Sequence, residues 1–188
     1  MKIFNPEHIK EQEYHFDTYC VLDGVKYSML WSDLEDGSLE YDVLFKEEKL
    51  RTELERVAPF LVKLDFINES GIAQSEELMK CYGKNGGIFF TSPLAFSGAL
   101  EKMREIFYLY TEEGEVEGVL RFYEPIVFLE LIKESSLEVQ RDIFAKIYCY
   151  WCEDETHNRL MKFMWDQSHV RYQTIILDEK VEINNEAV

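Results

Sequence analysis

The sequence predicts an α/β (α+β) fold: a mixed β-sheet of about five to seven strands flanked by helices, in a single domain. Short runs rich in aromatic and β-branched residues, such as Thr18-Tyr-Cys-Val-Leu22 and Ile88-Phe-Phe-Thr91, alternate with segments of helical periodicity such as Phe96 to Phe107. Turn signals at Gly114 and between Gln167 and Arg171 join neighbouring strands by hairpins, which require antiparallel pairs, so the sheet is not purely parallel. With 188 residues, 46% of them hydrophobic and 14% aromatic, the chain can bury one full core.

Residues 1–17 are polar and weakly patterned and read as a lead-in to a domain spanning 18–177. Thr18 to Leu22 is the first strand, closed by Asp23-Gly24, and Val25 to Leu34 fits a short helix. Tyr41 to Phe45 is a second β segment. Lys46 to Val57 reads as a charged helix with Leu50, Leu54 and Val57 on its inner side, ended by Ala58-Pro59. Phe60 to Asp65 is a third strand. Ser75 before Glu76-Glu77 is a helix start with Gly83 as its stop, and Gly86-Gly87 opens the strand Ile88 to Thr91.

Ser92-Pro93 supplies an N-cap and a first-turn proline for the most clearly amphipathic segment, where Phe96, Leu100, Met103 and Phe107 recur at helical spacing. Tyr108 to Thr111 and Val119 to Glu124 flank a hairpin turn at Gly114. Gly118 to Glu124 reads as an inner strand with apolar residues on both sides, and Arg121 in its middle then needs a partner. Pro125 starts the next helix, and Ser135-Ser-Leu-Glu138 is a capping box for another. A terminal β pair occupies 159–177, and 178–188 reads as a frayed polar tail.

Several of these stretches carry a family resemblance. Leu120-Arg-Phe-Tyr-Glu-Pro-Ile-Val-Phe128 resembles the central motif of the adaptor/chaperone family of bacterial type VI secretion, with Glu124 where that family usually has Asp. Ala58-Pro-Phe-Leu-Val-Lys-Leu64, Gly87-Ile-Phe-Phe-Thr-Ser92 and Leu100-x-x-Met-Arg104 resemble further motifs in the same order, and Val21-Leu-Asp23 matches a strand that runs into Leu-Asp. Lys102 stands where the family commonly has His, so no role of that histidine carries over. The likeness covers about residues 18–152.

The charge balance limits the partners. With 37 acidic and 20 basic residues, net −17, the chain lacks the concentrated Lys and Arg that nucleic acid or an anionic membrane surface requires. No apolar run approaches the ~20 residues of a membrane span, and the first residues lack the layout of a secretory signal, so a cytoplasmic location is expected.

Candidate chemistry is sparse. Cys149-Tyr-Trp-Cys152 has dithiol or half-zinc-site spacing, with His157 and His169 downstream, but it reads as a strand in which positions three apart face opposite sides. His8 and His15 fall in no zinc-protease or triad pattern, and Gly83-x-x-Gly-Gly87 precedes a strand where a phosphate cradle would precede a helix. No catalytic residue, metal or cofactor is expected.

The resemblance implies a bacterial, non-enzymatic adaptor that binds the N-terminal region of an effector and the C-terminal region of the VgrG spike. The binding candidates are Arg104, Arg121, Tyr123 and Glu124, charges and an aromatic of the kind that anchor interfaces. Two alternatives belong to other classes: a small metal- or thiol-dependent enzyme using carboxylates with His157 and Cys149/Cys152, and an immunity-like inhibitor of an effector's toxic domain.

Overall fold

The computed structural model describes residues 16–27, 30–47, 54–79, 86–154, 159–166, 168–176 and 184–187. Its centre is β1 (Asp17–Asp23), six of whose seven residues are buried. β2 (Tyr41–Val43) and β3 (Pro59–Leu64) lie to one side of it, and β4 (Gly87–Ser92), β7 (Cys149–Glu153), β8 (Arg159–Asp166), β9 (His169–Ile176) and β10 (Asn184–Ala187) to the other. The order across the sheet is β10-β9-β8-β7-β4-β1-β3-β2, and each of these pairs is antiparallel. β5 (Tyr108–Tyr110) and β6 (Val116–Val119) form a separate two-stranded hairpin.

The α+β class therefore holds, with a longer and more uniformly antiparallel sheet than five to seven mixed strands. The additional strand comes from Asn184-Asn-Glu-Ala187, which pairs with β9 where the sequence reads as a frayed tail. Four polar or small residues carry no alternating pattern, and the pairing rests on main-chain hydrogen bonds that composition does not reveal.

Period-two alternation sends side chains to both faces of the sheet. Tyr19, Val21, Ile88, Phe90, Tyr150 and Phe163 meet α3 (Phe96–Phe107), α4 (Pro125–Glu134) and α5 (Leu137–Ile143) on one side. Cys20, Leu22, Phe60, Val62, Phe89 and Trp151 face the other side, where Leu34 of α1 (Leu30–Glu35) and Leu78 of α2 (Glu69–Met79) pack. This double coverage explains why the inner strands read as continuous apolar runs.

Several local expectations change. Residues 48–53 of the helix read over Lys46 to Val57 lie outside the described residues; its end is a 3₁₀ turn, Glu55–Val57, with Leu54 and Val57 exposed. α2 begins at Glu69, six residues before Ser75, so Ser75 is no cap. Its buried hydroxyl instead receives the Asp65 N–H (2.9 Å) and donates to the Asp65 carbonyl (3.1 Å), tying the helix to the end of β3. α3 begins at Phe96, and the Ser92 hydroxyl accepts from Leu94 N–H and donates to the Lys146 carbonyl.

The N-cap of α5 is Ser136, which accepts from Val139 N–H; with valine at the third helical position there is no reciprocal carboxylate, so the expected Ser135–Glu138 capping box does not form. Gly114, with φ of +84°, makes the hairpin turn as the sequence implies. Among the described residues no helix is long and apolar enough to cross a membrane.

Candidate functional site

β1 delivers Asp23 to the C-terminal end of the central strand, followed by a turn that the aspartate itself organises. Its Oδ1 accepts from Val25 N–H at 2.9 Å, while its main-chain carbonyl accepts from Lys26 and Tyr27 N–H at 3.1 and 3.2 Å. Gly24 fits because its backbone passes against the Ala58 carbonyl, to which its N–H donates. The Asp23 side chain is only 2% exposed, and a buried carboxylate demands a second partner.

That partner arrives from the β6–α4 connection. β6 ends at Val119, and residues 121–124 form a turn in which Glu124 N–H donates to the Arg121 carbonyl at 3.0 Å. Arg121 is thus not in the middle of an inner strand. β6 is largely exposed and belongs to the hairpin, and the Arg121 side chain is 50% exposed. The alternation of Val119, Arg121 and Tyr123 imitates a strand, but Pro125 at the start of α4 and the turn before it break the ladder.

The requirement for a partner nevertheless holds. Arg121 Nη2 donates to Asp23 Oδ2 at 2.7 Å, and its Nε lies 2.6 Å from Glu124 Oε1. Lys26 Nζ approaches Glu124 from the other side at 3.5 Å. Two carboxylates and two cations thus alternate along one run of contacts, Asp23–Arg121–Glu124–Lys26. The guanidinium carbon also lies 5.8 Å from the centroid of the Tyr123 ring, within cation–π reach.

Burial raises the Tyr123 phenol above its ordinary value even though the Arg121 cation pulls it down. Burial draws the Arg121 guanidinium downward, but Tyr123, Glu124 and Asp23 outweigh it and hold the group more firmly cationic. The cluster couples the end of the central strand to the start of α4 while leaving half the arginine open to solvent. Its components are charges in mutual compensation, an arrangement suited to fastening and to recognition.

The structure therefore brings Arg121, Tyr123 and Glu124 together and adds Asp23 and Lys26. Arg104 stands apart. On α3 it donates from Nε to the Leu44 carbonyl (3.2 Å) and from Nη2 to the Val43 carbonyl (2.9 Å), and its Nη1 meets Glu101 at 2.8 Å. It is a buried clasp on the end of β2, with Asp42 at 3.6 Å. Asp23 is the participant that sequence reasoning left out as a site residue. The clue was present in Val21-Leu-Asp23, an acidic residue ending an otherwise buried strand.

Cys149 and Cys152 fall on opposite faces of the sheet, in the two different core clusters, so they do not form a dithiol or share a ligand set. Burial raises both thiols above their ordinary range, and Cys149 Sγ sits 3.0 Å from Thr91 Oγ1. His169 contacts Ser168 (2.9 Å) and Arg171 (3.3 Å), whereas His8, His15, Cys81 and His157 lie outside the described residues. Among the described residues no group of three or more His, Cys, Asp or Glu is placed to hold a metal ion.

Fold and site together define an antiparallel-sheet α+β protein in which a motif arginine closes a charge cluster at the edge of the core. The chain belongs to the family described as Domain of unknown function (DUF4123), which it matches over residues 18–142. That span runs from β1 into α5 and contains Asp23, Arg104, Arg121, Tyr123 and Glu124. It stops short of β7, ten residues before the limit of the resemblance read from the motifs. No curated protein and no solved structure matched the chain.

Proposed function

We propose that this chain is a non-enzymatic adaptor of bacterial type VI secretion. It would bind the N-terminal region of an effector in the cytoplasm and promote its loading onto the C-terminal region of the VgrG spike. The resemblance of four ordered motifs to the secretion adaptors supports this class of partner, and the family match spans the residues that carry those motifs.

The observation that carries the reading is the hairpin above the motif. Leu109, Tyr110, Val116 and Val119 of β5 and β6 are each between 43% and 48% exposed, and Ile126 on the first turn of α4 is 47% exposed. On this reading the exposed apolar side chains of the hairpin, an element outside the main sheet, are where a partner protein makes contact. Arg121 and Tyr123 follow directly from β6, so the charge cluster fixes the angle at which that surface is presented.

The test is capture of effector and spike from co-expressing cells by the tagged wild-type chain, by Arg121→Ala and by Tyr123→Ala, each first shown to be folded by circular dichroism. Wild type should retain both partners and the folded variants should retain less. A folded wild-type chain that holds neither partner overturns the adaptor reading.

A further inference from the structure

Between α3, the β5–β6 hairpin, α4 and α5 lies an open groove of about 400 Å³. Its apolar lining comes from Ile106, Leu109, Leu120, Leu131, Val139 and Ile143. Leu109 and Val139 are 45% and 44% exposed, so aliphatic surface meets water here at a free-energy cost that a ligand would relieve.

The lip of the groove is acidic. Glu105 and Asp142 stand on it, and Glu112, Glu113, Glu115 and Glu117 are all exposed on the adjoining hairpin. Among the described residues that line the groove Lys102 is the one cation, and its ammonium is already engaged by Glu105 at 3.2 Å and by the Asp142 carbonyl at 2.7 Å. Over residues 101–143, eleven Asp and Glu face five Lys and Arg, a net charge of −6. Of those five, Arg104 and Arg121 are bound to carboxylates of their own.

We propose that this groove seats a basic amphipathic helix of a partner protein, its aliphatic side on the groove floor and its Lys and Arg against the acidic lip. Assigning that helix to the effector's leading segment rests on the adaptor reading above. The negative lip selects the sign of the partner. The β5–β6 hairpin is the one wall with strand edges, and the helical form follows from the other three: α3, α4 and α5 close their own backbone hydrogen bonds and offer side chains alone. A segment buried against them must therefore satisfy its own N–H and C=O groups, with aliphatic residues at i, i+3 or i+4, and i+7.

The test uses the full chain and two synthetic helices of about five turns, one built from Leu and Lys in that pattern and one with Glu in place of Lys. Fluorescence anisotropy should show the Leu/Lys helix binding and the Leu/Glu helix failing to bind. Leu109→Asp and Val139→Asp should each weaken the Leu/Lys helix by about tenfold. Ile67→Asp, at a 90% exposed position between β3 and α2, should leave it unchanged.

The aspartates make the sign decisive, because binding driven by net charge alone would become tighter in all three variants. Unchanged or tighter binding in Leu109→Asp and Val139→Asp overturns the groove, as does equal binding of the two helices. Effector capture separates this from the broader reading. A Leu109→Asp chain that still captures effector as wild type does removes the groove as the effector's seat and leaves the adaptor standing, whereas a wild-type chain that captures neither partner removes the adaptor itself.

Discussion

Arg121 and Asp23 are 98 positions apart in the chain and 2.7 Å apart in the fold. The arginine is half in solvent and the aspartate almost wholly out of it, so the cation acts as the lid on a buried anion. Both residues lie within the span that the family model matches, and without Arg121 the buried Asp23 carboxylate loses the cation that compensates it.

Truncating the lid should expose that dependence. Breaking a fully buried pair costs roughly 3–5 kcal/mol, and solvent at the arginine end lowers the expectation for Arg121→Ala to about 1–3 kcal/mol. Asp23→Asn keeps an acceptor for Val25 N–H and removes the charge, so Arg121→Ala should cost less in that background. Urea unfolding of the four proteins of this cycle measures the coupling, and strict additivity would show that the pair contributes nothing.

Arg104 should behave differently from Arg121. Its fork satisfies the carbonyls of Val43 and Leu44 from inside the protein, a geometry that a lysine cannot reproduce. Arg104→Ala and Arg104→Lys should both lose about 2 kcal/mol of stability. At a temperature where both remain folded, each should capture partners as well as wild type does. Selective loss of capture in a folded Arg104 variant would restore that residue to the binding surface.

The contrast shows what the sequence makes legible. Strands such as Ile88 to Thr91 and the α3 face through Leu100, Met103 and Phe107 are written in local periodicity, and both appear where that periodicity places them. The Arg121 stretch shows where periodicity fails. Three alternating residues before a proline satisfy the pattern of a strand, yet a turn obeys the same pattern, and the Glu124 N–H bond to the Arg121 carbonyl and the contact with Asp23 distinguish them.

Ser75 teaches the same lesson from the opposite direction, since a serine before two glutamates looks like a cap until Asp65, ten residues earlier, is seen to claim its hydroxyl. The site residues were identified as needing partners by the energetics of charge. Which partners they found depends on long-range contacts that no local window contains.

Glycine substitutions should separate three physical situations. A Cβ at Gly24 would collide with the backbone oxygen of Ala58, beside the Asp23 turn. Backbone cannot give way as a flexible side chain can, so Gly24→Ala should cost most. Gly114 meets nothing but has φ of +84°, and alanine there should cost about 1 kcal/mol in backbone strain. Gly118, in open space within β6, should accept alanine with no loss or a gain of a few tenths of a kcal/mol. Melting temperatures in any other order would contradict the described turn.

The pH dependence should show a steep alkaline limb. Burial raises the thiols of Cys149 and Cys152 above the ordinary 9.0, and burial likewise raises the phenols of Tyr19, Tyr123 and Tyr150 above the ordinary 10.0. Each group is held neutral in the fold and ionises more readily once unfolded. Its contribution is therefore complete below the ordinary value and is lost as pH climbs from there toward the raised one. Unfolding free energy should be level with respect to these groups up to about pH 8, then fall by about 1.4 kcal/mol per pH unit for each group engaged. Tyr150→Phe removes one such group together with its hydrogen bond to the Ile143 carbonyl (3.0 Å), so it should be less stable than wild type at neutral pH and fall more gently above pH 10. Urea titrations at a series of pH values read both effects at once. Parallel curves for the two proteins above pH 10 would mean that Tyr150 ionises as easily folded as unfolded, contrary to its place between Phe90, Phe128 and Phe144.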